Sequence, residues 1–387
     1  MTQARAARRT KENGSRTHRG KRRVPEVLVA IRYIAPAMTV RAPSITTPAF
    51  DILMTGGLSI VVMSGLLIWA SGAGGSVDFV DGQWLPMMVL INSPHFAASY
   101  RLLYVSREEI LEHRWSTLIV PGLLLSALGV AALTDYRDVI VQNLVFGSSV
   151  YLAWHYTGQA WGMVSAFSRV LGIEFSSLER KLIRGGMRIL LGVHVLFAFS
   201  GRLPPADWIS PASYIEAYDT VFAGAVGLAG LSLFAGAWAF WQARARGQSI
   251  PLRVVFPWLA LYIWYPFWYF VPGGFIWVQL SHGLQYLAFP LRVEVNRYAK
   301  AAPRSDREKA LHVALVYLGL IVAGVVFLHG PPFAAHAFGH GWYSTPHAQT
   351  LFQGFISCVA IHHYFVDGAI WKLSNPKVRG ELLSHLN

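Results

Sequence analysis

The chain has 387 residues, of which 54% are hydrophobic and only 14% are charged, and its formal net charge is +13. Apolar runs of about 20 residues recur along it, the length that crosses the hydrocarbon core of a bilayer. The single cysteine, Cys358, excludes an internal disulfide and a cysteine-rich zinc or iron–sulfur site. The composition therefore predicts a polytopic membrane protein in which any metal is bound by nitrogen and oxygen ligands.

The N-terminal segment is strongly basic, because residues 1–49 carry eleven of the 33 Lys and Arg residues. Such a block is typical of a disordered arm attracted to anionic lipid head groups, and we expect no nucleic-acid binding. The Arg8-Arg9 pair is not followed by the apolar segment of an export signal before Pro25. We therefore predict a retained, cytoplasmic arm over residues 1–49.

Ten apolar runs follow this arm, and each is long enough to form a membrane-spanning helix. They lie at about 50–71, 84–104, 116–134, 138–166, 182–200, 217–242, 253–271, 274–294, 310–328 and 345–373. The Pro272-Gly273-Gly274 cluster between the seventh and eighth runs indicates a tight turn. We predict an all-α bundle of about ten transmembrane helices over residues 50–373, followed by a short cytoplasmic tail at 374–387.

The cations of the connecting loops give the orientation of these helices, because cytoplasmic loops carry an excess of Lys and Arg. Alternate loops carry fourteen such residues in one set and only two, Arg137 and Arg202, in the other. With an even number of spans, both termini lie in the cytoplasm. We therefore expect a multi-pass protein of the bacterial inner (cytoplasmic) membrane, in contact with membrane lipids.

Several histidines lie within the predicted spans, where ionisable side chains mark functional sites. Six of the fourteen histidines fall there: His95, His155, His194, His282, His362 and His363. All of these except His194 are on helices that run from the outside inward, 6 to 14 positions before the next cationic residue. That separation corresponds to about 9–21 Å along a helix. The five histidines therefore share one slab in the cytoplasmic half of the bilayer, and we predict that they bind a metal.

Polar side chains lie three or four positions after these histidines and so share their helix faces. They are Ser99, Gln159, Gln285, Tyr286 and Asp367. We expect Gln159 and Gln285 to orient the imidazole rings at the bound cofactor. Asp367 is the only carboxylate well within the slab and could orient a histidine or bind metal directly. Asp367 and Tyr286 are the candidates for a catalytic role.

Other histidines have simpler interpretations. A lone membrane histidine is commonly an interhelical hydrogen-bonding residue, and we assign this role to His194. The predicted outer loop at 329–345 contains a His336-x-x-x-His340 spacing that could bind zinc or copper. Because no carboxylate or cysteine lies beside this pair, we expect the loop to line the outer face instead.

An imidazole cluster with one carboxylate suits iron, copper or zinc better than magnesium or calcium, which prefer oxygen ligands. We favour one or two non-haem iron ions, because iron activates oxygen and an apolar bundle admits an apolar substrate while excluding water. The prediction is a metal-dependent oxidoreductase of the oxygenase or desaturase type, acting on a lipid-soluble small molecule and supplied by a redox partner. Two alternatives use the same residues: a transporter or proton or metal-ion pathway, and a haem-binding redox subunit.

The segments NSPHFAASYRLLY, HYTGQAWG, SHGLQY and HHYFVDGAIWKL resemble a group of uncharacterised bacterial His-rich polytopic membrane proteins. This resemblance implies that the four segments form one constellation, and it implies no activity. In logic the chain is similar to membrane non-haem iron desaturases and to carotene-cleaving dioxygenases. It lacks the HxxHH box of the desaturases, because no histidine lies three positions before His362.

Overall fold

The structure is a computed structural model that describes residues 43–73, 84–200, 210–339, 341, 344–372 and 375–386. Residues 1–42 of the predicted basic arm (residues 1–49) lie outside the described part of the chain. Within the described residues the protein is helical and contains no β-strand, which confirms the all-α fold class.

The described residues form fourteen α-helices in chain order. They are α1 (Pro48–Ile52), α2 (Leu58–Ala73), α3 (Trp84–Met87), α4 (Ser93–Leu103), α5 (Arg107–Glu112), α6 (Val120–Leu133), α7 (Arg137–Val170), α8 (Ser177–Ala198), α9 (Pro211–Ala245), α10 (Leu252–Phe270), α11 (Gly274–Ala301), α12 (Asp306–Phe338), α13 (Pro346–Ile370) and α14 (Pro376–Leu383). Three π-helical turns at Leu53–Gly57, Met88–Asn92 and Trp115–Ile119 lead into α2, α4 and α6. A 3-10 turn at Ser384–Leu386 follows α14.

Four helical segments are long and apolar enough to cross a membrane: Pro48–Gly72, Trp115–Leu133, Pro211–Ala245 and Asp306–Phe338. Their side chains mostly face outward, since no more than 28% of any of these apolar windows is buried inside the protein. Other long helices bury polar and ionisable groups, which lowers their hydropathy. The four segments indicate a membrane protein, while the count of ten spans and the orientation of the termini stay predictions.

The ten predicted runs all coincide with helical segments where the structure describes them. The predicted break between the seventh and eighth runs is present as well: α10 ends at Phe270 and α11 begins at Gly274. Gly273 between them has a φ of 71°, a left-handed conformation that favours glycine.

The predicted outer loop at 329–345 is wrong for its first part, because α12 continues to Phe338. The helix includes Pro331 and Pro332. A proline removes one backbone donor and can bend a helix without ending it. His329 and His336 are therefore helical residues, and His340 lies outside the described residues.

The segment before α2 packs against the protein from Pro43 onward. The Asp51 carboxylate accepts hydrogen bonds from the backbone N–H groups of Ile45 and Thr46, and Ile45 is fully buried. A kink at the π-helical turn then brings Gly56 against α10. A Cβ atom on Gly56 would lie 2.6 Å from the carbonyl oxygen of Phe256, so this close approach requires glycine.

The centre of the bundle is built from α4, α7, α11 and α13. Helix α7 packs against α8, α10 and α13, whereas α4 packs against α11, α12 and α13. The start of α4 is held tightly by α12, because a Cβ atom on Gly324 would lie 2.3 Å from the carbonyl oxygen of Ser93. This clamp lies two residues before His95, so it helps to set the position of that side chain.

Candidate metal centre

Four histidines from four helices meet in the interior of the bundle. His95 of α4, His155 of α7, His282 of α11 and His363 of α13 each offer a ring nitrogen, and these nitrogens all lie within 4.8 Å of one another. All four side chains are buried, and His363 has no exposed surface. The structure therefore brings together four of the five predicted histidines in a group that could hold a metal ion.

The nitrogen–nitrogen distances within this group are short. The Nε2 atoms of His155 and His282 are 2.9 Å apart, and those of His95 and His363 are 3.1 Å apart. With a metal–nitrogen distance of about 2.1 Å, two nitrogen ligands of one ion lie about 3.0–3.4 Å apart, so the nitrogens of either pair are close enough to share an ion.

A carboxylate lies beside two of the four histidines. Asp367 Oδ2 lies 3.4 Å from His363 Nε2 and 3.7 Å from His155 Nε2. This oxygen is buried and has no hydrogen-bond partner among the described residues. Leaving a buried carboxylate oxygen unpaired is costly, and a cation bound between the imidazoles would satisfy it. The four histidines and the unpaired oxygen beside them therefore form a group that could hold a metal ion.

The carboxylate is also held by two hydroxyl groups. The Ser99 hydroxyl lies 2.6 Å from Asp367 Oδ1 and 2.7 Å from the Tyr286 hydroxyl. An ionised carboxylate only accepts hydrogen bonds, and Ser99 has a single hydroxyl proton. Ser99 can therefore donate its proton to Asp367, and the Tyr286 hydroxyl is hydrogen-bonded to Asp367 as well. The two hydroxyls orient Asp367 and place the predicted residue Tyr286 in direct contact with it.

His362 differs from the sequence prediction that it binds the same metal. Its Nε2 atom lies 2.8 Å from the carbonyl oxygen of Ser116 and 3.3 Å from the Tyr104 hydroxyl, and it is not part of the four-histidine group. Consecutive residues on a helix are about 100° apart, so His362 leaves α13 in another direction from His363. The structure therefore separates the adjacent pair.

The two glutamines do not orient the imidazole rings as predicted. Gln159 Nε2 donates to the backbone carbonyl of His282, and Gln285 Nε2 donates to the backbone carbonyl of Thr55 in the kinked turn. Both side chains thus donate hydrogen bonds to backbone carbonyls of neighbouring helical segments. The Nδ1 atoms of His95, His282 and His363 have no hydrogen-bond partner among the described residues.

The remaining histidines lie away from the centre. His194 is buried on α8, and its Nδ1 atom lies 3.1 Å from the Tyr265 hydroxyl of α10, which forms an interhelical hydrogen bond. His329 Nε2 lies 3.5 Å from the Ser93 hydroxyl. Because His340 lies outside the described residues, the His336–His340 pair has no described geometry.

Aromatic rings enclose the imidazoles in a way that the sequence interpretation missed. The Phe96 ring lies 4.3 Å from His363, the Tyr156 ring 4.6 Å from His282, and the Tyr364 ring 4.6 Å from His155, as centroid distances. Each aromatic residue directly follows one histidine of the group and packs on a histidine from another helix. A histidine–aromatic dipeptide on three of the four helices was the available sequence signal.

Two cavities lie beside the centre. The smaller, about 530 Å³, is called here the Asp367 chamber; its lining includes His155, Gln159, Trp161, Arg184, Asp367 and Lys372. The larger, about 1350 Å³, is lined by Tyr100, Arg101, Glu294, Phe327 and His362, among others. The Asp367 chamber is the one that has members of the metal centre on its wall.

Comparisons with known proteins add no assignment to this geometry. No protein-family model matches the chain, and searches of curated proteins and of solved structures found no match.

Proposed function

We propose that the protein is an integral-membrane metalloenzyme, a non-haem iron oxidoreductase of the oxygenase or desaturase type that acts on a lipid-soluble substrate. The convergence of four buried ring nitrogens, two of which lie within 3.7 Å of Asp367 Oδ2, carries this proposal. The proposal includes ten spans with both termini in the cytoplasm of a bacterial cell, in keeping with the cationic bias of the loops.

The donor set supports iron over the other metals. Four imidazoles and one carboxylate suit iron, copper or zinc, and a structural zinc site takes four ligands in a tetrahedron. The four nitrogens, with Asp367 Oδ2 near two of them, offer five potential donors, one more than a tetrahedral site uses. Bound iron would supply one-electron chemistry and oxygen activation, with dioxygen as the oxidant and a redox partner as the source of electrons.

The side chains around the ion have separate roles in this proposal. His95, His155, His282 and His363 hold the metal, and Asp367 supplies an oxygen on the side that faces the chamber. Ser99 and Tyr286 keep that carboxylate in place through their hydroxyl groups. The aromatic rings exclude bulk water, which protects reactive species and strengthens electrostatic interactions within the site.

The geometry is less suited to haem. Four pairs of imidazole rings within the group have centroids only 4.5–5.2 Å apart: His95–His282, His95–His363, His155–His282 and His155–His363. A haem with two axial histidines needs space for the macrocycle between the rings. The close packing of these rings favours a single ion over a porphyrin.

Elemental analysis of the full-length protein, purified in detergent without chelators, tests the proposal. We expect about one iron per chain and no Soret absorption band, and less than about a third of an ion per chain would contradict the metal assignment. A metal that exchanges rapidly with buffer would favour the transporter alternative. Comparing lipid extracts of a deletion strain and its parent then tests for a modified lipid-soluble product.

A further inference from the structure

The Asp367 chamber has the properties of a binding site for an elongated molecule. Its lining on α7 extends from Tyr151 to Ser165, which is about 21 Å along a helix. Its volume of about 530 Å³ falls within the usual range for small-molecule sites, and apolar and aromatic groups form most of its wall. An extended hydrocarbon chain matches this shape and this lining.

The lining of the chamber carries one carboxylate and two cations. Asp367 belongs to the metal centre, whereas the two cations, Arg184 of α8 and Lys372 after α13, are exposed side chains on its lining. The Arg184 guanidinium lies 5.7 Å above the centre of the Trp161 ring, a cation–π contact that places the charge over the chamber wall. A negatively charged end group of a bound molecule would therefore be attracted to Arg184 and Lys372 and repelled by Asp367.

We infer that the chamber binds a single long apolar chain that ends in an anionic group, such as a long-chain carboxylate, with that group at Arg184 and Lys372. His155 and Trp161 are six residues apart on α7. His155 of the metal centre therefore lies about 9 Å along the helix from the residue whose ring the Arg184 guanidinium covers. The reacting carbons are therefore within the chain and not at the end group. The identification of this molecule as the substrate rests on the proposed function, but its binding does not.

Glycines on the wall provide a way to fill the chamber without disturbing the helices. A Cβ atom on Gly162 would meet no atom within 4 Å. Gly147 lies earlier on α7, is similarly unobstructed and is not part of the chamber lining, so it supplies a matched control. Gly162→Leu should occlude the chamber, while Gly147→Leu should leave it open.

The experiment uses the full-length protein in detergent and a palmitate analogue with a photoreactive diazirine in its chain. Labelled peptides are identified by mass spectrometry, with palmitate, hexadecanol, hexadecyltrimethylammonium and phosphatidylglycerol as competitors. We expect labelling of the chamber wall, about tenfold better competition by palmitate than by hexadecanol, and little competition by the cationic amphipath. Phosphatidylglycerol, which has two chains, should compete more weakly than palmitate.

The variants locate the binding site. Gly162→Leu should reduce labelling at least about tenfold, and Gly147→Leu should change it by less than about twofold. Arg184→Gln combined with Lys372→Gln should weaken competition by palmitate about fivefold and leave competition by hexadecanol unchanged, since each exposed ion pair is weak. Equal competition by palmitate and hexadecanol, stronger competition by phosphatidylglycerol, or full labelling of Gly162→Leu would overturn the inference.

Metal content measured on the same samples separates this inference from the proposed function. Labelling of the chamber in a protein that binds no metal would support the inference and contradict the metal assignment. A protein that binds metal and is labelled only around the larger cavity would support the metal assignment and contradict the inference about the chamber.

Discussion

Two regions of the molecule bury histidine in contrasting ways. At the metal centre, four imidazoles from α4, α7, α11 and α13 converge with a carboxylate oxygen that has no partner among the described residues. Around His194, a single imidazole bonds the Tyr265 hydroxyl and packs against Trp268. His194 and His95 are equally buried, each with 1% of its surface exposed. Burial alone therefore does not single out a candidate ligand, whereas the convergence of four ring nitrogens marks a group that could hold a metal ion.

The two regions are also adjacent, because the Tyr156 ring lies 4.6 Å from His282 and 6.5 Å from His194. The aromatic packing around His194 thus continues into the wall of the metal centre. Substitutions that affect one region and spare the other can test whether the two buried environments differ in function.

The largest expected effect comes from removing one ring of the centre. His363→Ala should lose nearly all bound metal, because it removes one nitrogen ligand and leaves Asp367 without its nearest imidazole. His362→Ala and His194→Ala should retain wild-type metal content, measured as ions per chain by elemental analysis. Thermal unfolding of each variant checks the fold. A loss of metal in His362→Ala equal to that in His363→Ala would contradict the separation of the adjacent pair.

Asp367→Asn tests the carboxylate at the metal centre, because it removes the negative charge and keeps a side chain of nearly the same shape. We expect metal affinity to fall about 10–100-fold, because the amide is a poorer oxygen ligand and no longer balances the charge of the cation. Competition with a chelator of known affinity measures the change. Ser99→Ala, which removes one of the two hydroxyls that orient Asp367, should produce a smaller loss in the same assay. Unchanged affinity in Asp367→Asn would exclude the carboxylate from the site.

Gly324→Ala tests whether the clamp on α4 supports the centre. The added Cβ atom would lie 2.3 Å from the Ser93 carbonyl oxygen, so α4 must shift, at a cost of about 2 kcal/mol in the free energy of unfolding. We expect a midpoint of thermal unfolding lower by about 5 °C and a few-fold weaker metal binding. Gly319→Ala on the same helix, where a Cβ atom would meet nothing within 4 Å, should be neutral in both assays.

The smallest effect is expected at the start of α8, which contributes no ligand to the centre. Burial raises the pKa of Glu179, but the Ser176 backbone N–H and the Arg246 guanidinium lower it by more than burial raises it. The pKa therefore lies below the ordinary value of 4.5. A carboxylate with a lowered pKa stabilises the folded state when the pH is above the ordinary pKa. This contribution is lost as the pH falls below that value and through the pKa of the folded state.

Glu179→Gln should therefore lower the unfolding midpoint at pH 7, by an amount that corresponds to about 1 kcal/mol for a helix N-terminal cap. The difference between wild type and variant should stay constant down to about pH 5 and shrink below that. Metal content should not change. A difference that grows on acidification would contradict the assigned direction of the pKa.

The sequence by itself determined the helices and the depth of the histidines. Apolar runs of membrane-spanning length fixed the all-α class, and the ten runs coincide with helices. The number of residues between each histidine and the next cation measures distance along a helix axis, because the rise per residue is constant. That single coordinate grouped His95, His155, His282 and His363, together with His362, before any contact between their helices was known.

Only the tertiary structure decided which way each side chain points and which helices are neighbours. The rotation of a helix about its axis depends on packing, so the sequence could not separate His363 in the centre from His362 beside the larger cavity. For the same reason it could not show that Gln159 and Gln285 serve backbone carbonyls, or that the hydroxyls of Ser99 and Tyr286 hold Asp367. Distance along a helix follows directly from residue numbers. The rotation of a helix about its axis and its neighbours in the bundle depend on contacts between residues far apart in the chain.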